Sequence, residues 1–580
     1  MGSVNLSNAV FTLKNINQML KNQKLKKPTP NVINLVTNTT FSSNTPVNSI
    51  KINSITIPIS SGGPIKNLDQ TKAYQELKAI DTKSISLKKL LNPERIKKYN
   101  INNGPINYNY ATTLTNDKAL NKLQKLADEL NLTGRYKDIL AGKIMNLSEK
   151  RKVLHHMCRN SKNKGMYGKE QQKIAEFAKK VHNGEIRGAT GKKITDIVQI
   201  GIGGSDLGPR AVYEALRRKV SADKGKLPIR AHFISNVDPD DANSVLEKID
   251  FETALIIVVS KSGTTQETLT NLKFVQEKAI EKGLKKEDLK KHFLAVTGKG
   301  SPLDNPKKYL ASFYIDSNIG GRYSVTSAVG GTVLSLAFGP EVFEKFLQGA
   351  AKIDEASKEK DITKNAALMA ALIGVWNRNF LNLNPKAIIP YSAGLGKFGK
   401  HIQQLDCESN GKSVNQYGRK VNYKTGAYIM TAPGTDAQHS FFQEIHQGTT
   451  VLPIEFMISK KPQIAKDLKC FGSTSQEKLK ANQIAQIIAM AVGQKDEKNL
   501  NQNFPGNRPT SLIYYDQLTP EALGAILAFY ENKVMFQGLA WNLNSFDQPG
   551  VQLGKKLAKQ VLKKGGPDDK NLKAMYALVN

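Results

Sequence analysis

The sequence is poor in cysteine. It has three, Cys158, Cys407 and Cys470, with no Cys-x-x-Cys spacing, so neither a disulfide framework nor a zinc site is indicated and a reducing compartment fits best. Long apolar runs are also missing: stretches such as Ala254–Val259 fall far short of the roughly 18 residues that a membrane-spanning helix needs. Together with a mean hydropathy of −0.40, this excludes a helical membrane protein and leads us to expect a soluble, cytoplasmic one with no membrane partner. The first residues, Met1-Gly-Ser-Val-Asn-Leu-Ser7, lack the charged-then-apolar order of a secretory signal, and Leu6 breaks the myristoylation pattern. Acidic residues are the last shortage: 50 Asp and Glu against 84 Lys and Arg, a formal net charge of +34. Such a charge can mark a nucleic-acid binder. Here, though, the lysines are scattered, as in Leu284–Lys291, Lys555-Lys556 and Lys563-Lys564, and do not cluster with arginine and aromatics. Nucleic acid is therefore not the expected partner, and the positive field favours phosphorylated substrates instead.

What is present suits a globular protein. Hydrophobic residues make up 39% and charged ones 23% of the 580, enough for two or three domains. Residues 1–70, rich in Asn, Ser, Thr and Pro, read as a loosely ordered low-complexity extension. Residues 71–183 read as a helical segment, with Leu120, Leu123, Leu126 and Leu130 on one face. Short apolar runs that end in Gly/Ser turns and lead into helices then predict two parallel-sheet α/β units in tandem. The first, over 184–340, has strands at Thr195–Ile202, Arg230–Ser235, Ala254–Ser260, His292–Thr297 and Ser312–Asp316 and a closing helix over Ser324–Phe338. The second, over 341–545, has strands at Ala387–Tyr391, Ala427–Thr431, Leu452–Met457 and Ser511–Tyr515. Residues 546–580 form a helical tail.

In such sheets, ligands sit beyond the carboxyl ends of the strands, where helix N-termini favour anions. Gly201-x-Gly203-Gly204-Ser205 occupies one such turn. It fits neither the dinucleotide fingerprint, since Asp206 stands where a third glycine is needed, nor a P-loop, since no Gly-Lys-Ser/Thr follows. Ser260–Thr268 is more specific. Four hydroxyls, Ser260, Ser262, Thr264 and Thr265, surround one glycine at a helix start, which suits a small phosphate monoester. An ordinary Ser/Thr cap with a Gln-Glu capping box explains one or two of those hydroxyls, not four.

These turns and four further motifs resemble the phosphoglucose isomerase family. The six run in family order: Gly201-Ile-Gly-Gly-Ser-Asp-Leu-Gly-Pro209, Ser260–Thr268, Gly320-Gly-Arg-Tyr-Ser-Val-Thr-Ser-Ala-Val-Gly330, Glu408-Ser-Asn-Gly-Lys412, Gly434–Gly448 and Ser545-Phe-Asp-Gln-Pro-Gly-Val-Gln-Leu-Gly-Lys555. The resemblance implies two sugar-isomerase-type α/β sandwich domains with helical N- and C-terminal segments. It further implies an aldose-ketose isomerase of glycolysis and gluconeogenesis that acts on a hexose 6-phosphate with neither cofactor nor metal, as a homodimer. By the same resemblance Glu408 is the base that moves a proton between C1 and C2, and His439 and Lys555 open the sugar ring, His439 across the subunit interface. Arg322 is the cation beside the enediol oxygens. Ser260, Lys261, Ser262 and Thr265 bind the phosphate, while Gly204, Ser205 and Gln548 make further substrate contacts. Gln552, where the family usually has glutamate, and Pro549, where a bulky residue is common, depart from the pattern near Lys555.

The chemistry asks for the same residue types. Proton abstraction beside a carbonyl needs a poised carboxylate and a fixed positive charge where the enediolate develops, and ring opening suits a histidine, whose pKa lies near neutrality. Taken singly, Glu408 reads as a solvated carboxylate, His439 as a surface or core histidine, Lys555 as part of a basic face and Arg322 as a structural ion-pair partner. His439 and His446, seven apart on one helical face, have no third ligand nearby, so a metal site is not expected. The rival function is a non-catalytic phosphosugar-binding regulator, which needs the phosphate loop but not Glu408, His439 or Lys555.

Overall fold

The computed structural model describes residues 49–52, 55–58, 65–159, 165–464, 467–563 and 565–579. The chain divides into two units, Met1–Ile65 and Lys66–Asn580. In the first, Ser49–Ile52 pairs antiparallel with Ile55–Pro58; most of the extension read over residues 1–70 lies outside the described residues.

The second unit holds two main sheets, and both have the parallel α/β build that the alternation of strand and helix predicts. The five-stranded sheet consists of Asp196–Ile200, Arg230–Ile234, Ala254–Ser260, Phe293–Thr297 and Ala311–Tyr314. Its strands all run parallel, with Ala254–Ser260 at the centre between 196–200 and 293–297. Every residue of the three inner strands is buried, as helices on both faces require. The six-stranded sheet is ordered Ile429–Thr431, Lys386–Pro390, Ile454–Ser459, Thr510–Tyr515, Asn107–Asn109, Asn100–Asn102. Its first four strands are parallel and the last two antiparallel.

That antiparallel pair corrects the reading of 71–183 as wholly helical. Each strand spans three residues with one apolar side chain, Ile101 and Tyr108, both buried, too short an alternation to register as strand periodicity. A second small hairpin, Ile144–Asn146 with Arg151–Lys152, lies in the same segment.

The core is crossed by the helix Pro520–Ala540, with Thr519 as its N-cap (accepting from the Ala522 N–H at 3.1 Å) and Pro520 at its first position. It is apolar almost all round and buried from Ala522 to Ala540, the pattern of a central helix, and packs on Pro340–Ala356 and Ala366–Asn379.

Charged clusters interrupt this core at two places: Arg159 pairs with Asp354 and with Glu531 of the central helix, and a second cluster lies beneath the helix Phe398–Asn410. Lys386 lies 3.2 Å from Asp406 and 3.3 Å from Glu455, and Lys533 of the central helix pairs with Glu455. Burial pushes the Lys533 ammonium down to about 8 against the pull of Glu455. Burial alone would lower Lys386 as well, but Glu455 and Asp406 hold it above the ordinary lysine value. Lys533→Met is expected to destabilise the fold by about 3–5 kcal/mol, because it breaks a buried pair and strands part of the Glu455 charge; chemical denaturation measures it.

Candidate functional site

Glu408 stands in the last turn of the helix Phe398–Asn410, which places its carboxylate where loops from both sheets converge. Its side chain is partly buried, 24% exposed. Oε1 accepts from Gln548 Nε2 at 2.9 Å and from Gln404 Nε2 at 3.3 Å, while Oε2 faces Arg322 Nη1 at 3.5 Å. Gln404, four residues back, lies on the same helical face.

Arg322 sits in the short 3-10 turn Gly321–Tyr323 and is buried. Its guanidinium is spread over fixed partners: Nε donates to Ser409 Oγ at 2.7 Å, and Nη2 to the Ser545 carbonyl at 2.6 Å and the Asp547 carbonyl at 3.1 Å. The Tyr323 hydroxyl shares Ser409 Oγ at 3.0 Å. The remaining edge of the fork is thereby aimed at Glu408, a fixed cation beside a carboxylate.

The glycine turn after the strand Asp196–Ile200 packs directly on this arginine. A Cβ on Gly204 would lie 2.2 Å from the Gly321 carbonyl carbon and oxygen, and one on Gly203 would be 3.2 Å from Gln404 Nε2. Gly204 is thus glycine because two backbones touch there. Ser205 follows, half-buried, at the end of the 3-10 turn Gly203–Ser205.

In the hydroxyl-rich loop the helix runs over Gln266–Glu281, and Thr265 is its N-cap without a side-chain cap bond. The Thr265 hydroxyl instead meets Ser260 Oγ at 3.0 Å; Ser262 Oγ accepts from the Thr264 N–H at 3.2 Å and hydroxyl at 2.9 Å. Capping therefore does not account for these hydroxyls. Gly263 takes φ +69 beneath them, the left-handed turn that exposes loop N–H groups.

Lys261 Nζ donates to the Ile319 carbonyl at 2.9 Å and lines a cavity with Arg151, Asn318, Arg322, Tyr323 and Gln548. Burial first, and then the neighbouring Arg151, push its ammonium below the ordinary lysine value. The cavity wall thus carries four cations, Arg151, Lys152, Lys261 and Arg322, from three separate segments, against one carboxylate, Glu149, a charge excess suited to an anion.

Glu408, Arg322, Gln548, Gly204 and Lys261 are therefore brought together. His439 and Lys555 are both exposed, and no hydrogen bond or ion pair among the described residues joins either to these side chains. His439 ends the 3-10 turn Asp436–His439, whereas His446 lies in a separate helix, Phe442–Gln447, so the two do not share the continuous helical face that their spacing suggested. Among the described residues no group of His, Cys, Asp or Glu could hold a metal. Lys555 lies on the helix Gln552–Val561, which has no buried residue. The sequence reading missed Gln404, Ser409, Tyr323 and Arg151. Only Gln404 carried a usable signal, its four-residue spacing from Glu408.

Residues 109–574 match the phosphoglucose isomerase family. The chain belongs to that family. It is 51% identical over 520 residues to a glucose-6-phosphate isomerase of Treponema denticola, covering 87% of this chain and 97% of that protein. It is 45% identical to the one of Desulfotalea psychrophila, covering 87% and 96%. The crystal structure of a glucose-6-phosphate isomerase from Chlamydia trachomatis superposes with a TM-score of 0.83 at 39% identity, over 89% of this chain and all of that one. Among the described residues no helix is long and apolar enough to cross a membrane.

Proposed function

We propose that this chain interconverts glucose 6-phosphate and fructose 6-phosphate, the aldose-ketose step that serves glycolysis and gluconeogenesis, in the cytoplasm. The observation that carries this reading is the Glu408 carboxylate fixed 3.5 Å from Arg322 and 2.9 Å from Gln548 beside a cationic cavity and a hydroxyl-rich loop. A regulator needs only the loop.

In this reading the phosphate rests on Ser260, Ser262 and Thr265 with Lys261 beside it, and Gly204, Ser205 and Gln548 orient the sugar. His439 and Lys555 move the protons that open the ring, between the O1 hydroxyl and ring oxygen. Glu408 then takes the C2 proton of the open aldose and returns it to C1. Arg322 meets the negative charge that grows on the enediolate oxygen, a charge present only in the transition state and intermediate. Purified protein is expected to turn over either sugar phosphate in a coupled assay, at a rate unchanged by chelator; a protein that binds both and converts neither would support the regulator.

Two exposed features support a homodimer in which His439 and Lys555 complete their sites. His439 is exposed with no hydrogen bond or ion pair to Glu408's partners, and the helix Gln552–Val561 shows Leu553 and Leu557 to solvent on one face, with Leu562 just beyond, a stripe suited to a second copy. Mixing inactive Glu408→Gln and His439→Ala proteins and allowing subunits to exchange is expected to restore about a quarter of wild-type activity, since half the dimers would then carry one intact site. No recovery, with exchange verified by mass, would place His439 in its own chain's site.

A further inference from the structure

Lys412, the last residue of the Glu408-Ser-Asn-Gly-Lys412 motif, has no part in the mechanism above. Its side chain is 10% exposed. Its ammonium is surrounded by acceptors: the Ser409 carbonyl at 3.0 Å, the Asp547 carbonyl at 3.2 Å, the Asp547 carboxylate at 2.8 Å and the Asn544 carbonyl. Burial lowers its pKa, opposed by Asp547.

Those acceptors lie on two elements. Ser409 is in the final turn of the helix that presents Glu408, where backbone carbonyls lack intrahelical partners; a cation there satisfies one and complements the helix dipole. Asn544 and Asp547 belong to the segment whose Ser545 and Asp547 carbonyls hold Arg322 and whose Gln548 reaches Glu408. That segment is tied in turn to the Ile144–Lys152 hairpin: Asn544 Nδ2 donates to Asn146 Oδ1 at 2.9 Å and to Ser148 Oγ at 2.8 Å, and Ser148 bonds Asp547. Lys412 is one point that joins the helix end bearing the base to the loop bearing the base's other partners.

We propose that Lys412, paired with Asp547, is a positioning residue for proton transfer: it sets Gln548 and Arg322 against Glu408 without itself touching substrate. This rests on the isomerase reading. Wild-type turnover tests that reading and serves as the control here, so failure of one is distinguishable from failure of the other.

Lys412→Met in the full chain is expected to lower kcat by about a hundredfold, the scale of a 1 Å misplacement, with KM for fructose 6-phosphate changed by less than about threefold, because the phosphate loop is untouched. A kcat within about threefold of wild type would overturn the proposal. Because this change strands the Asp547 carboxylate, the double variant Lys412→Met with Asp547→Asn removes both charges. A melt that recovers while kcat stays low supports positioning. A melt and a kcat that recover together assign Lys412 to stability alone and overturn it, as does a double variant that still fails to fold.

Discussion

Glu408→Gln is expected to lower kcat by about a thousandfold or more, within the span that a positioned acid-base group supplies, while KM for fructose 6-phosphate changes by less than about threefold. The amide keeps the size of the side chain and can still meet Gln548 and Gln404, but it cannot take a carbon-bound proton. Arg322 loses a carboxylate at 3.5 Å yet keeps Ser409 and two carbonyls, so the fold and the phosphate loop should survive. Steady-state kinetics beside a thermal melt decide the matter: a melt near wild type with activity lost places the proton with Glu408, whereas activity within about tenfold of wild type removes Glu408 from its role.

Arg322→Lys carries the second largest expected effect, and it combines two losses. A lysine has one nitrogen where the guanidinium serves Ser409, Ser545, Asp547 and Glu408 at once, and the two ions are not interchangeable at a forked site. Leaving buried carbonyls or Ser409 unpaired costs about 1–3 kcal/mol. Losing the aimed donor at the enediolate costs about a hundredfold to a thousandfold in kcat/KM, by the measure of a lost oxyanion-hole group. Both are measurable on one preparation. A lysine variant that retains kcat/KM within about tenfold would mean that the charge at this point, rather than the fork, is all the reaction uses.

Much of this was legible in the chain. All nine strands read from apolar runs are present to within about two residues, because parallel strands buried on both faces leave a continuous signature. The Ser260–Thr268 and Gly201–Ser205 turns stood out by the Gly and Ser/Thr residues that directly follow an apolar strand. Sequence could not show Gly204 against Gly321, or Gln548 against Glu408 across 140 residues, for these contacts exist only once two sheets meet. The strands at 100–102 and 107–109 were hidden by their brevity. His439 and His446 misled because even spacing was taken for one helix, while the backbone breaks between them.

The most direct measurement follows the proton itself. Glucose 6-phosphate carrying deuterium at C2 is incubated with the purified full chain and chelator, and the sugars are read by NMR. The expected result is fructose 6-phosphate formed catalytically, with the deuterium gone from C2 and found at C1 or in water, and neither change in Glu408→Gln. Deuterium retained at C2 with no fructose 6-phosphate formed, by a chain that still binds the sugar phosphate, would contradict the assignment of Glu408 as the base and of the protein as an isomerase.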